Sequence, residues 1–599
     1  MSGTNDIKSG GLVTFSIKVK GSAIPDVIQI RAIEVEKGVN KISTAKISII
    51  DGDASLESFN VSSSNIFVPG NELTIEAGYD SEEKLIFKGI ITKQNIKVDV
   101  AVGPILQIEC RDKAIKMIVG RKTKTYAKKK DSDIINSIIG NYSGLTANVT
   151  ASATQWQEQV QYYTTDWDFI LSRAEVNGFV VTTLNGEVNV FPPDKNRKSV
   201  LGIEYGNNLL TFNADLNSIN QLETVKGSSW DYHNQKVVNS NAKSSYAGAG
   251  NLSTKKLSEV VGLKEYELQT TAPLEKSDLT NWSKAEIIKS EYAKIQGEVK
   301  IQGSDLVNPG NYITLDGLGD RFNGDHFVSN VQHTIADGNW ITETSIGLSS
   351  TWFTQELDVM APPASGLLPG AQGLFNGVVK KMYEDPDSQY RILVDVPMFD
   401  VNGEGIWARL SNFYSTSGAG VFFLPEVGDE VVVGFLNQDP RFPIILGSLY
   451  SSTKNKPYNG LHPNENNSRK AIASKSGIFI EFDDDNKVFT IETPNKNTAI
   501  FDDNNKRVTI QDENDNRIVM SSSGITIKSA KSISIEADQK LTLKGKQGVN
   551  IEASEGDVSL KGVNVKASAD MEFSAQGDLR AQLQGGAETT IKGAMVMIN

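Results

Sequence analysis

The sequence predicts a mainly β, multidomain chain that ends in a stacked array of short strands. Three observations predict it. Alternating apolar and polar residues recur through the first 110 residues, as in VTFSIKV, ELTIEAGY and KLIFKGIITKQNIKV. Five short strand patterns crowd into about 80 residues after a break rich in Pro and Gly. Near the C-terminus apolar pairs recur every eight residues, at Ile525/Ile527, Ile533/Ile535, Leu541/Leu543 and Val549/Ile551. A period of two within each pair puts both side chains on one face of a strand. A fixed spacing between pairs means stacked units, none of which buries its apolar face alone.

Composition narrows the function. A chain of 599 residues is long enough for several domains, each with its own core. Hydrophobic content of 39% and charged content of 22% are those of globular protein. A net charge of −13 argues against a whole-chain role in coating nucleic acid, which asks for a basic surface. The basic run RKTKTYAKKK, Arg121 to Lys130, has the composition of a phosphate-binding patch, but reads first as a solvated loop or the face of a polar lumen. The single cysteine, Cys110, excludes an intrachain disulfide and points to a reducing compartment; its setting, ILQIECRD, is that of a buried structural thiol. MSGTNDIKSGG has no apolar signal core, and no apolar run reaches membrane-spanning length, so synthesis in the cytoplasm without a signal peptide is expected.

The elements follow in order. Residues 12 to 110 read as a β-barrel or sandwich. DSDIINSIIGNY predicts a helix capped by Asp131 or Asp133, with Ile134, Ile135, Ile138 and Ile139 as its stripe and Gly140 as its stop. TTDWDFILSRAEVNGFVV predicts a second, with Thr165 as cap, Trp167, Ile170, Leu171 and Ala174 on one face and Gly178 as stop. Each helix is expected to plug a small barrel. Strand patterns return from 179 to about 355. VMAPPASGLLPGAQG makes 359–373 a linker, and 374–452 has the strand count and size of an OB-type barrel. A connector at 453–477 leads to a needle at 478–599. There a looser beat, Ile480/Phe482, Phe489/Ile491, Val508/Ile510 and Ile518/Met520, precedes the strict one. The phase slips after Leu560 and resumes at Val563/Val565 and Met571/Phe573.

GVFFLPEVGDEVVVGFLNQDPRFPIILGSLY, Gly420 to Tyr450, resembles the signature of the VgrG and phage-baseplate spike family. QYYTTDWDFILSRAEVNGFVV and FNGDHFVSNVQHTI resemble that family's hub, and the motifs stand in the family's order. The resemblance implies that residues 1–358 form a hub of two barrel-like domains that docks on an inner tube and baseplate. It further implies a homotrimer whose needles intertwine into a triangular β-helix, with Ile525, Ile527, Ile533, Ile535, Leu541, Leu543, Val549 and Ile551 in its core. The period alone equally admits a coil of 24 residues within one chain. On this resemblance the chain is the central spike of a contractile injection system, piercing a target membrane mechanically. FVPGNELTIEAGYDSEEKLIFKGIITKQNIKV, followed by IECRDKAIKMIVGRK, is most similar to spikes of extracellular phage-tail-like particles; type VI secretion systems and phage tails use the same part. The protein is thus expected to act in a released particle or to leave through the injection apparatus.

No catalytic, cofactor or metal site is expected. His233, His326, His333 and His462 are scattered, and DDDN, DDNNK and DENDN lack the spacing of a calcium loop. G-x-S-x-G, H-E-x-x-H and P-loop motifs are missing from the sequence. The interval between Tyr450 and Ile478 is too short for a lysozyme domain. The competing reading is a β-helical tailspike enzyme or adhesin acting on surface glycans, which predicts long irregular coils with acids and aromatics on one flank. Short, regular, aromatic-poor units after residue 502 favour the mechanical spike. Met595, Val596, Met597, Ile598 and Asn599 form an apolar end that either folds back on itself or, as the resemblance implies, receives a conical PAAR-type tip protein able to carry effector cargo.

Overall fold

The strand patterns assemble as follows in the computed structural model, which describes residues 11–598 apart from 102, 195–196, 232–233, 246–247, 357–358, 400–402 and 459–460. The chain divides into two units, one ending at Leu449 and one running from Tyr450 onward.

In the first unit, thirteen strands form one sheet. Its two halves, distant in sequence, meet where Gly324–Ala336 pairs antiparallel with Ile30–Gly38, setting Ile335 opposite Ile33. Alternation decides which side faces inward. In Thr44–Ile50, Ala45, Ile47 and Ile49 are buried while the residues between them are partly or fully exposed. Ile33, Ile75, Leu106, Ile108, Ile335 and Trp340 belong to one core, so the sheet curls around residues drawn from both halves. Cys110 is buried in this core, which pushes its thiol up to about 12. A second, separate core of Leu201, Ile203, Val299, Ile301, Ile313, Leu315, Val328, Val331 and Ile346 lies on the later strands, so the one sheet serves two cores joined through the pairing of Ile30–Gly38 with Gly324–Ala336.

Helices α1 (Asp131–Ile139) and α2 (Asp166–Val176) form where the sequence places them. They do not plug barrels. They pack with Val181, Val188 and Val190 in a core built on the small sheet of Thr146–Val149, Val180–Leu184 and Glu187–Phe191. Thr165 caps α2, its hydroxyl accepting from the Asp168 amide at 3.0 Å, and Gly178, at φ +70, ends it. Helix α1 has no side-chain cap. Asp131 instead accepts from Arg173 Nε at 2.8 Å, Arg173 Nη2 at 3.0 Å, Trp156 Nε1 at 3.1 Å and Asn177 Nδ2 at 2.9 Å. That buried, bidentate arrangement draws the carboxylate across to α2. Gly140 is right-handed in conformation and closes α1 without the left-handed turn.

Two further helices, α3 (Thr254–Val261) and α4 (Lys276–Tyr292), lie in the stretch expected to be strand only. Helix α4 packs against the sheet of Thr224–Asp231 and Lys236–Lys243. The basic run becomes the strand Lys122–Lys130, paired with Gln155–Thr164, and Lys122 bonds Asp166 at 2.6 Å.

Residues 375–448 close into a five-stranded barrel of Phe375–Lys381, Ile392–Asp395, Ile406–Leu410, Glu430–Phe435 and Pro443–Ser448, around Val379, Ile392, Val394, Ala408, Val431, Val433 and Ile445. The count and positions are those read from the sequence.

The second unit begins with a seven-stranded antiparallel meander from Arg469 to Lys528. Its first strand, Arg469–Ala473, lies within the stretch expected to be connector, and Thr498–Asp502 joins the strands of the looser beat. The looser beat is thus a hairpin ladder within one chain rather than a coil. The last strand is Gly524–Lys528.

Candidate functional site: the repeat face and the distal end

The meander presents one apolar face. Its registers line up Ile472, Ile480, Ile491, Ala499, Ile510, Ile518 and Ile527 across the seven strands, beside a second row of Phe482, Phe489, Phe501, Val508, Met520 and Ile525. Phe482 and Phe489 ring centroids lie 5.1 Å apart, and Phe489 and Phe501 5.8 Å. None of these residues is fully buried, and Phe482, Phe501 and Ile510 are close to half exposed. A sheet that satisfies its backbone internally but leaves its apolar side uncovered asks for another surface on that side.

The acidic turns of this ladder are self-contained. Asn486 Nδ2 donates to Asp483 at 3.0 Å, Asn505 Nδ2 to Asp502 at 2.8 Å and Asn516 Nδ2 to Asp512 at 2.8 Å. These amide bonds hold all three carboxyls below the ordinary range. The acids thus serve as turn formers, with oxygens engaged by their own loops. Among the described residues no group of three or more His, Cys, Asp or Glu could hold a metal ion. His326 and His333 are both buried; His333 Nδ1 bonds with Thr342 Oγ1 at 3.0 Å and His326 Nε2 with the Phe322 carbonyl at 2.7 Å. His233 lies outside the described residues.

Beyond Lys528 the backbone keeps a strict beat without forming strands. Bends fall at 530–531, 538–539, 546–547, 554–556, 563, 570–571, 578–579, 586–587 and 594–595, and every span between neighbouring bends is six residues long. Ile533/Ile535, Leu541/Leu543, Val549/Ile551 and Val558/Leu560 occupy positions two and four of their spans. Position six is Ala or Gly in all eight spans: Ala537, Gly545, Ala553, Gly562, Ala569, Gly577, Gly585 and Gly593. Positions one, three and five share the opposite face. There Arg580 donates to Gln582 at 2.6 Å, Gln582 to Gln584 at 2.9 Å and Thr590 to Glu588 at 2.8 Å.

The apparent slip after Leu560 has a local cause. The bend at 554–556 has three residues and the one at 563 a single residue, so one insertion and one deletion cancel and the six-residue span survives. The in-phase pairs downstream are therefore Val565/Ala567, Phe573/Ala575, Ala581/Leu583 and Thr589/Ile591, while Val563 and Met571 sit in bends. The corrected register was legible once Ala was counted as an inward residue.

Of the expected core residues, Ile525 and Ile527 stand on the last strand of the meander, and Ile533, Ile535, Leu541, Leu543, Val549 and Ile551 on unpaired spans; all eight are more than half exposed in the single chain. No coil of 24 residues closes within one chain, since such a coil would pair and bury them. At the distal end Met595, Val596, Met597 and Ile598 are all exposed, and Asn599 lies outside the described residues.

A curled hub sheet, a closed five-stranded barrel and an apolar-faced repeat, in that order, define a hub-and-spike protein of the VgrG and phage-baseplate kind. Residues 9–337, more than half of the chain, match the family described as "Alg8 N-terminal domain", and the chain belongs to it. Residues 375–450 match the "Type VI secretion system/phage-baseplate injector OB domain", over the closed barrel. Among curated relatives, the chain is similar to the type VI secretion system spike protein VgrG1a of Pseudomonas aeruginosa, 23% identical over 216 residues. That match covers 34% of this chain and 33% of the relative, so the chain matches about a third of the relative's length. A 52-residue segment is 44% identical to the spike protein VgrG3 of Vibrio cholerae, covering 9% of this chain and 5% of that one. The 43 kDa tail protein of prophage MuSo2 from Shewanella oneidensis is a structural neighbour at TM-score 0.43 and 12% identity, covering 56% of this chain and 99% of its own. A Francisella PdpA–VgrG complex gives TM-score 0.37 at 11% identity, with coverage of 88% and 81%.

Proposed function

We propose that the protein is the homotrimeric central spike of a contractile injection system, its hub seated on inner-tube and baseplate proteins and its needle leading through the target membrane. One observation carries this reading: from Ile472 to Ile591 the chain presents an apolar row that its own residues cover only in part. Three copies of the meander, apolar faces inward, form a prism with no side open to water. In the distal octads the spans of one copy become strands by pairing with spans of the others, which also removes every lateral edge. Such a closed prism transmits force along its axis.

In this reading residues 1–358 are the hub, 359–373 the linker, 374–452 the OB-fold, 453–477 the connector and 478–599 the needle. The chain is not an enzyme; it acts mechanically. The exposed end at Met595 to Ile598 receives a PAAR-type tip protein, and effector cargo travels with it. The protein is made in the bacterial cytoplasm and acts either in a released particle or through the secretion apparatus. Sedimentation or native mass measurement tests the assembly: three copies of a 65.2 kDa chain give about 196 kDa. A stable folded monomer of 65.2 kDa refutes it.

A further inference from the structure

The bends of the distal octads differ from those before them in a way that tracks the inward residues. Where both inward positions are large, at Ile533/Ile535, Leu541/Leu543, Val549/Ile551 and Val558/Leu560, the residue before the span is polar or glycine: Lys531, Gln539, Gln547 and Gly556. Where one inward position is alanine, it is bulky and apolar. Val563 precedes the span with Ala567, Met571 the span with Ala575, and Leu579 the span with Ala581. The exchange recurs in three consecutive octads and in none before them.

Their exposure separates these residues from the rest of the apolar row. Val563, Met571 and Leu579 are 100%, 99% and 102% exposed, against 63% for Val565 and 70% for Phe573 in the intervening spans. Their own chain leaves them fully exposed. Three successive bulky apolar side chains held wholly clear of their own backbone form a patch of the kind that marks an interaction surface.

We infer that Val563, Met571 and Leu579 are inter-copy packing residues: each reaches into a second copy of this chain and fills the space that the alanine of its octad leaves. Volume complementarity within each octad identifies the occupant as another copy of the same repeat, since only that partner carries the matching vacancies in the same register. The distal needle thus closes with a third kind of inward residue, supplied from the corners, and tolerates small residues on its spans without a cavity.

This inference rests on the trimeric reading, and the test separates the two. The assembled full-length protein is exposed to hydrogen peroxide and each methionine followed by peptide mass. Met117, buried in the hub, is the protected reference, and the same chain in urea the unprotected one. Met571 is expected to oxidise about tenfold or more slowly in the assembly than in urea. The triple variant Val563→Ser, Met571→Ser, Leu579→Ser is expected to speed proteolysis beyond residue 557 while the assembly keeps its mass, and Gln539→Ser with Gln547→Ser to leave both unchanged. If the protein sediments as a trimer but Met571 oxidises as fast as in urea, the corners face outward and the inference is overturned. A monomeric wild type overturns the trimeric reading itself.

Discussion

Replacing Ile535 with aspartate tests the inward face of the needle at one level. Ile535 is 63% exposed in the single chain, so that share of its surface is left for neighbouring copies to cover. Full burial of an isoleucine stabilises by roughly 1.5–3 kcal/mol, which makes the inter-copy share about 1–2 kcal/mol per chain and about 3–6 kcal/mol for three copies. Aspartate removes that term and sets three carboxylates at one level of a narrow prism, at a further cost of several kcal/mol per ion unless they protonate. Thr542→Asp places the same charge at position three of a span, on the hydrated face, where the change is expected to stay under about 1 kcal/mol. The assay is the temperature at which the trimer separates on a denaturing gel, with proteolysis of residues 529–598 followed in parallel. Ile535→Asp is expected to open the distal needle well below the wild-type temperature while the hub and barrel persist, and Thr542→Asp to behave as wild type. Equal loss in both variants would falsify the assignment of faces.

Other predictions follow from the hub and the distal end. Asp131→Ala leaves Arg173 buried without its carboxylate and frees Trp156 and Asn177, and is expected to destabilise the hub by about 3–5 kcal/mol in denaturant unfolding, whereas loss of a helix cap alone would cost about 1 kcal/mol. His333 is fully buried against Thr342 and Trp340, and burial, with Lys37 nearby, lowers its pKa well below 6.5; burial lowers that of His326 too. The unfolded chain therefore binds more protons than the folded one below about pH 6.5, so hub stability should fall as pH drops from 7 to 5, and His333→Gln should flatten that slope. The same burial pushes Lys37, whose ammonium donates to Asn308 at 2.8 Å, down to about 8, which adds a rise in stability between pH 8 and 10.5. Deleting Met595 to Asn599 is expected to abolish capture of a PAAR-type tip protein in pull-downs and to leave the oligomer mass, less the deleted residues, unchanged. Purified protein is expected to release no sugars from peptidoglycan or other glycans; turnover abolished by one carboxylate substitution would restore the tailspike reading.

What could be read in advance depended on whether a residue's role was set by its neighbours in sequence. The five barrel strands and the cap at Thr165 were legible because alternation and a hydroxyl before a helix act locally. Asp131 looked like a cap for the same reason, but the partly buried Arg173 guanidinium on α2 offered a stronger bond than the helix end. Helix α4 escaped notice because much of its buried face is Ser283, Ala285, Glu286, Ser290 and Glu291, which show no apolar stripe; its acids are held by long-range partners such as Trp352, whose indole N–H donates to Glu286, and Ser244, whose hydroxyl donates to Glu291. The continuity of the hub sheet was hidden because it depends on one pairing, between 30–38 and 324–336, across nearly 300 residues. In the repeat the period was plain, but the register beyond Leu560 was misread, since unequal bends shift the phase while the span length stays fixed.

The most direct measurement of the central claim is amide hydrogen exchange along residues 529–598 of the purified protein. In one chain this stretch has no strand partners, so protection there comes only from other copies. Slow exchange is expected in the six-residue spans and faster exchange at the bends, repeating every eight residues as far as Gly593. Uniformly fast exchange across the stretch, at the rate of the unfolded peptide, would contradict it.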